Sequence, residues 1–262
     1  MTDPNSAESV TGVEPLISDA GYLSWKNWTA ENFAHLKKAD GRYFDAEVRR
    51  AKSTFPQGSA VLEVGFGSGA FLAYARQRRW QVQGLEANPD LVAMARKAGF
   101  VADKGDDFAS YANDSFDLVV AFDVLEHIPQ ERLAKWLSDA MRVLKPGGVL
   151  IARFPNGDSP FGLYNQNADI THVTVLGSGK VEYFARAVSA ELLFVGGQAQ
   201  VLYSSSPVRW CRKLAGMLFR WSLNRIVRLL YFRKRDFASE NLTAVLRKPK
   251  HRAPQPHQPL NA

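Results

Sequence analysis

Cysteine is almost missing. Cys211 is the single one in 262 residues, which excludes an internal disulfide and a cysteine-built zinc cluster. No apolar run approaches the roughly 20 residues needed to cross a bilayer. The opening stretch MTDPNSAESVTGVEP lacks the basic and apolar regions of a signal peptide. Acid is missing from one segment altogether: Ser204 to Arg235 holds many arginines and lysines and neither Asp nor Glu, in a chain of net charge +7. Its aromatics interleave with aliphatics and form no base-stacking series, so no nucleic-acid partner is expected. These absences predict a cytoplasmic protein whose membrane contact, if it has one, is peripheral and at the inner face of the cell membrane. Apolar residues make up 46% of the chain, enough for an ordinary globular core.

The chain is organised around Val61-Leu62-Glu63-Val64-Gly65-Phe66-Gly67-Ser68-Gly69. An apolar run enters a glycine cluster, and Ala70 to Arg76 continues at helical spacing. That pattern reads as a buried parallel strand, a tight turn and a helix starting against it. Free N–H groups at such a helix start suit a carboxylate or phosphate. The letters alone also satisfy a dinucleotide fingerprint through Gly65, Gly67 and Ala70. Glu63, a carboxylate in an apolar strand, does not belong to that fingerprint.

Residues 1–20 read as a disordered leader. Residues 21–55, with Trp25, Trp28, Phe33, Leu36, Tyr43, Phe44 and Val48, read as two helices parted near Asp40-Gly41, capping either a ligand or the sheet edge. Residues 56–247 hold the main domain. Strands are predicted at Ala60–Val64, Gln81–Glu86, Phe100–Ala102, Phe116–Phe122 and Val149–Phe154, with helices after the first, second and fourth. Alternation of this kind predicts an α/β fold with a doubly wound, Rossmann-like, mostly parallel sheet. A long loop from Pro155 to Gly177, a helix from Gly179 to Leu193 and a strand from Gln198 to Tyr203 follow. A basic amphipathic insertion at 207–235 then precedes a last strand at Asn241–Leu246, and 248–262 reads as a disordered tail.

Five stretches in order, VLEVGFGSG, GLEANPDLV, GDDF, FDLVVAFDVLEHIP and LKPGGVLIARFPN, resemble the class I S-adenosylmethionine-dependent methyltransferases. They span about residues 60 to 155. The resemblance implies S-adenosylmethionine as cofactor. Gly65, Phe66, Gly67 and Gly69 would wrap its amino-acid end, with Glu63 holding the ammonium. Glu86 would take the ribose hydroxyls, and Asp106 or Asp107 the adenine amino group. Asp123 would stand near the methionine portion or the acceptor. A hydroxyl acceptor also needs a base, for which His172, Asp169, Asp123 and His127 are the candidates. Asp169, three residues before His172, could orient its imidazole if that loop turns. No spacing compels a metal site.

The stretch PNGDSPFGLYNQNADITHVT and the basic insertion look like those of methyltransferases of cell-surface polysaccharide and glycolipid biosynthesis. That second resemblance implies O-methylation of a sugar or lipid-linked saccharide. Methylation of a hydrophobic small molecule such as a quinone precursor, and a non-catalytic cofactor-binding scaffold at a membrane, stay open as alternatives. In the insertion, Arg209, Lys213, Arg220, Asn224 and Arg228 share a helical face opposite Phe219, Leu223, Ile226 and Leu230. Such a helix either lies on an anionic membrane surface or packs its apolar stripe on the sheet.

Overall fold

The computed structural model describes residues 20–231 and 236–250. Most of the expected leader, 232–235 of the basic segment and 251–262 of the expected tail lie outside the described residues. Strands β1 (Ala60–Val64), β2 (Gln81–Glu86), β3 (Val101–Lys104), β4 (Phe116–Phe122) and β5 (Leu144–Pro155) alternate with helices α3 (Ala70–Gln77), α4 (Pro89–Lys97) and α5 (Gln130–Val143). Strands β6 (Glu191–Gly197) and β7 (Asn241–Arg247) complete one seven-stranded sheet in the order β3-β2-β1-β4-β5-β7-β6. β7 alone runs antiparallel to its neighbours. This is the Rossmann-like, mostly parallel sheet the sequence predicts.

Strand order reverses between β1 and β4, and ligands of such sheets bind beyond the carboxyl ends at that point. Register makes those ends level: Val64 pairs with Leu85 on one side and Ala121 on the other. Gly65, Glu86 and Asp123 therefore emerge on one edge. The sheet is covered on both faces, which is why its strands read as apolar runs. Leu118 and Val120 of β4 pack with Phe71 and Tyr74 of α3 and with Phe44, whereas Val119 and Ala121 pack with Leu133, Trp136 and Leu137 of α5. Local chemistry sets the helix starts. Asn88 caps α4 through its side-chain oxygen, which accepts from the N–H groups of Asp90 and Leu91 at 2.9 and 3.3 Å, with Pro89 at the first position.

Several boundaries differ from the sequence expectation. The N-terminal helices α1 (Ala20–Lys26) and α2 (Lys38–Arg49) part at 27–37, and Asp40-Gly41 lies inside α2. The break falls where Asn27 and Ala34 take left-handed backbone angles of +53° and +57°. A helical glycine costs about 1 kcal/mol, and burial of Phe44 and Glu47 on the same helix offsets it. The loop after β5 contains a short helix, α6 (Gly162–Asn167). Helix α7 (Ser178–Ala187) stops before Ser189, whose φ is +53°, and the strand expected at 198–203 is instead β6. Short apolar runs such as Leu192-Leu193-Phe194-Val195 fit either period, and pairing with β7 decides for strand. The basic insertion forms α8 (Pro207–Tyr231). Lys248, assigned to the tail, is tied to the sheet: its N–H donates to the Gly148 carbonyl at 2.9 Å and its ammonium to the Leu144 carbonyl at 2.7 Å.

Candidate active site

The glycine turn has a roof made by the segment between α1 and α2. Gly67 and Gly69 take φ of +46° and +72°, and a Cβ on either would meet Trp28 at 2.8 Å or Phe33 at 2.6 Å. The Ala34 N–H donates to the Ser68 carbonyl at 2.8 Å, closing the roof. Only glycine serves here, because the backbone angle and the aromatic neighbour both exclude a side chain. Phe66 meets the roof edge-on, its ring centroid 6.1 Å from that of Phe33. Its ring packs with Leu72 and Leu91 and against Gly84, so it fills the core under the turn.

Glu63 is buried, and its Oε2 has no hydrogen-bond partner. Burial, and then the nearby charge of Glu86, push its carboxyl well above the ordinary range. Glu86, at the end of β2, accepts from the N–H of Gly67 through Oε2 and from that of Asn88 through Oε1, both at 3.2 Å. Burial raises its pKa too. Asp106 and Asp107 line the same cavity of about 340 Å³ as Glu86, Gly65 and Gly67. Asp107 is partly occupied, accepting from the Ala109 N–H at 2.9 Å, which leaves Asp106 the better placed for a ligand donor.

A second cavity of about 530 Å³ adjoins the first at Gly65, Gly67, Asp123 and His127. Asp123 takes φ +58°, a strained angle for a non-glycine residue. Arg153 of β5 clamps it with Nε at 2.9 Å and a second contact through Nη2, and donates to the Tyr43 hydroxyl at 3.1 Å. Arg153 is not among the site residues expected from the sequence, where Tyr43 enters only as part of the helical cap. The available signal was an arginine in an otherwise apolar strand, LIARFP, which needs a partner.

The loop carrying Asp169 and His172 does turn: the His172 N–H donates to the Asp169 carbonyl at 3.2 Å. The orientation it produces differs from the expected one. Asp169 accepts from Lys26 Nζ at 2.9 Å, from the Thr171 hydroxyl at 2.5 Å and from the Thr171 N–H at 3.0 Å. Burial alone would raise its pKa, but these bonds outweigh it and hold the carboxyl well below the usual range. The Thr171 hydroxyl also lies 2.9 Å from His127 Nδ1, so Asp169 orients His127 through Thr171. His172 Nε2 stays 3.9 Å from Asp169, beyond hydrogen-bond reach.

S-adenosylmethionine fits this arrangement. The Oε2 of Glu63, without a partner among the described residues, suits a cationic donor of the kind an amino-acid ammonium supplies, and the glycine turn admits close approach of a ligand. A binding-linked proton change follows. Glu63 in the ligand-free protein has a raised pKa, and a neighbouring ammonium lowers it, so binding expels a proton and tightens as pH rises towards the free value. Calorimetry in buffers of different ionisation enthalpy should register proton release that Glu63→Gln abolishes. Equal release by the variant would remove Glu63 from the site.

Residues 33–192 match the family described as a methyltransferase domain. The chain is 31% identical over 114 residues to an uncharacterized methyltransferase of Mycobacterium leprae (strain Br4923), a stretch covering 41% of each chain. It is 32% identical over 101 residues to a ubiquinone biosynthesis O-methyltransferase of Xanthomonas oryzae pv. oryzae (strain PXO99A), covering 36% of this chain and 41% of that one. The matched stretches thus span well under half of these curated relatives. The fold is similar to that of a SAM dependent methyltransferase from Archaeoglobus fulgidus, with TM-score 0.60 and 18% identity over 88% of this chain and 100% of that one. Glycine turn, strand-end acids and family match agree: the chain belongs to the methyltransferase-domain family, and S-adenosylmethionine is its cofactor.

Proposed function

We propose that the protein transfers the methyl group of S-adenosylmethionine to a hydroxyl of a sugar or lipid-linked saccharide at an anionic membrane surface. The observation that carries this reading is the wall of the larger cavity. Asp123, Arg153, Asn165, Asp169, His172 and Asn241 line it beside the aromatic rings of Trp25 and Tyr43, a mixture of hydrogen-bonding and stacking groups suited to a polyhydroxylated acceptor. The bound cofactor supplies an electrophilic methyl carbon on a sulfonium, and the chain's task is alignment and exclusion of water. Alignment can supply about 7–11 kcal/mol of the barrier. The roof formed by Trp28 and Phe33 covers the glycine turn. Arg153 fixes Asp123 where the two cavities meet. The acceptor proton would leave towards the cluster of Glu126, His127 and His172.

Helix α8 supports the membrane part of the reading. Its polar face is turned to the body of the protein: Lys213 donates to the Tyr203 carbonyl, Arg220 to Gln200 Oε1 (2.8 Å each), and Asn224 Oδ1 accepts from the Phe237 N–H at 2.9 Å. None of its side chains is buried. Phe219, Trp221, Ile226 and Leu230 are all more than half exposed, with Arg212 and Arg225 exposed beside them. An outward apolar stripe edged by arginine suits the headgroup layer of an anionic bilayer, each basic residue adding up to about 1 kcal/mol. No helix among the described residues is long and apolar enough to cross one. The doubly substituted Phe219→Asp/Trp221→Asp protein should bind phosphatidylglycerol vesicles at least about tenfold more weakly, with cofactor affinity unchanged. Equal co-sedimentation would end the membrane assignment.

A hydrophobic acceptor such as a quinone precursor is the second reading, favoured by the likeness to a ubiquinone biosynthesis O-methyltransferase. Incubation with methyl-labelled S-adenosylmethionine and an extract of the native organism separates the two. Lipid-extractable label that turns water-soluble after mild acid supports the lipid-linked saccharide, and acid-stable lipid label supports the quinone-like acceptor. Cofactor binding without any transferred label leaves a non-catalytic scaffold.

A further inference from the structure

Glu126 and His127 stand on the 3-10 turn Leu125–His127 that follows β4. The carbonyl of Glu126 accepts from the N–H groups of Val173 and Thr174 at 2.9 and 3.0 Å. Those bonds pin the second loop to the turn and bring His172 beside His127, ring centroids 4.7 Å apart. One ligand-capable atom from each of Glu126, His127 and His172 lies within 4.8 Å of the others.

Three side-chain atoms of this cluster, on two residues, have no hydrogen-bond partner among the described residues. Glu126 is 1% exposed, yet among the described residues neither carboxylate oxygen has a hydrogen-bond partner, and burying such a group uncompensated is costly. His172 Nδ1 is likewise buried without a partner, and its Nε2 stands 3.9 Å from Glu126 Oε1. The nearby cations do not fill the gap, since Lys26 is bonded to Asp169 and Arg153 to Asp123.

The tautomer of His127 points the same way. The Thr171 hydroxyl donates to Asp169 at 2.5 Å, so its oxygen and the Thr171 carbonyl, 2.9 and 3.2 Å from His127 Nδ1, both stand as acceptors there. The proton therefore belongs on Nδ1, and Nε2 presents a lone pair. An imidazole held this way by a backed hydrogen bond is the arrangement that metal-binding histidines use.

We propose that Glu126, His127 and His172 form a site for one divalent transition cation of the zinc or manganese kind. Two imidazoles and one carboxylate favour such ions over magnesium or calcium, which take oxygen ligands. Ligand atoms around a tetrahedral zinc lie about 3.3 Å apart, from Zn–N and Zn–O lengths of roughly 2 Å, so modest side-chain rotation closes the site. All three residues line the larger cavity, and three protein ligands leave a coordination position open towards it. On the reading that this cavity receives a hydroxyl acceptor, that position would hold the acceptor oxygen and make its proton more acidic; with the cation bound, the three ligands would act through it and the proton would leave to water. The cation site itself does not depend on that reading.

The test begins with full-length protein stripped by chelator and titrated calorimetrically with Zn²⁺ or Mn²⁺ alone. Cobalt substitution, followed by its visible absorption, reports the ligand set. Wild type and His35→Ala, a histidine outside the cluster, should bind one equivalent equally. Glu126→Gln, which preserves shape, and His172→Ala should each bind on the order of a hundredfold more weakly or worse, with circular dichroism unchanged. Absence of binding by wild type, or equal binding by all four proteins, would overturn the site. Metal binding as expected without transfer to any hydroxyl acceptor would sustain the site and fail the acceptor reading alone.

Discussion

Glu86→Ala is expected to weaken S-adenosylmethionine binding by about 3 kcal/mol, on the order of a hundredfold in Kd. The carboxylate has two tasks. It holds the N–H groups of Gly67 and Asn88 at 3.2 Å, which fixes the glycine turn against the start of α4, and it lines the cavity shared with Asp106. Two ribose hydroxyls can both donate to one carboxylate. A charged acceptor removed from a partly dry site costs more than a neutral hydrogen bond. Calorimetric titration of the variant checks the magnitude, and a thermal melt run beside it separates the two tasks. An unchanged Kd with a lowered Tm would leave Glu86 as a support of the turn and remove it from the cofactor.

Glu47→Ala is expected to lower the unfolding free energy by about 3 kcal/mol, the low end for breaking a buried ion pair, because Glu47 is buried and Arg50 only part-buried. Glu47 lies wholly buried on α2. Its Oε1 accepts from the Ala199 N–H at 2.6 Å and from the Thr243 hydroxyl of β7 at 3.0 Å, while Oε2 stands 3.3 Å from Arg50 Nη1. That last contact is an ion pair without hydrogen-bond alignment, since both atoms lack a hydrogen-bond partner. One carboxylate thus joins the N-terminal helix to the far edge of the sheet. Removing it strands a buried hydroxyl, a part-buried amide and a part-buried guanidinium. Since whole domains are stable by only about 5–15 kcal/mol, urea denaturation should show a clearly lower midpoint. A shift under about 1 kcal/mol would mean that water replaces the carboxylate readily.

The sequence by itself determined the parallel sheet from β1 to β5 and the acids and glycines that meet at its switch point. Those features are local. A period-two or fully apolar strand, a glycine turn and an Asn-Pro helix start are each encoded within a few neighbouring residues, while the parts given to Glu63, Glu86 and Asp106 came from the resemblance to a methyltransferase family. Tertiary structure decided everything that depends on distant segments meeting. Leu192 to Val195 became strand because β7 offered a ladder. Gly41 stayed helical because Phe44 and Glu47 were buried. The face of α8 turned inward was its polar one, since Gln200, Tyr203 and the 236–238 turn supply the partners. The acceptor side was least legible of all. Arg153 reaches Asp123 from 30 positions away, and His172 meets His127 across 45, counted from their numbers. No periodicity carries information over such distances; only the packed loops bring Glu126, His127 and His172 together, and only the folded structure leaves the buried Glu126 carboxylate without a hydrogen-bond partner among the described residues.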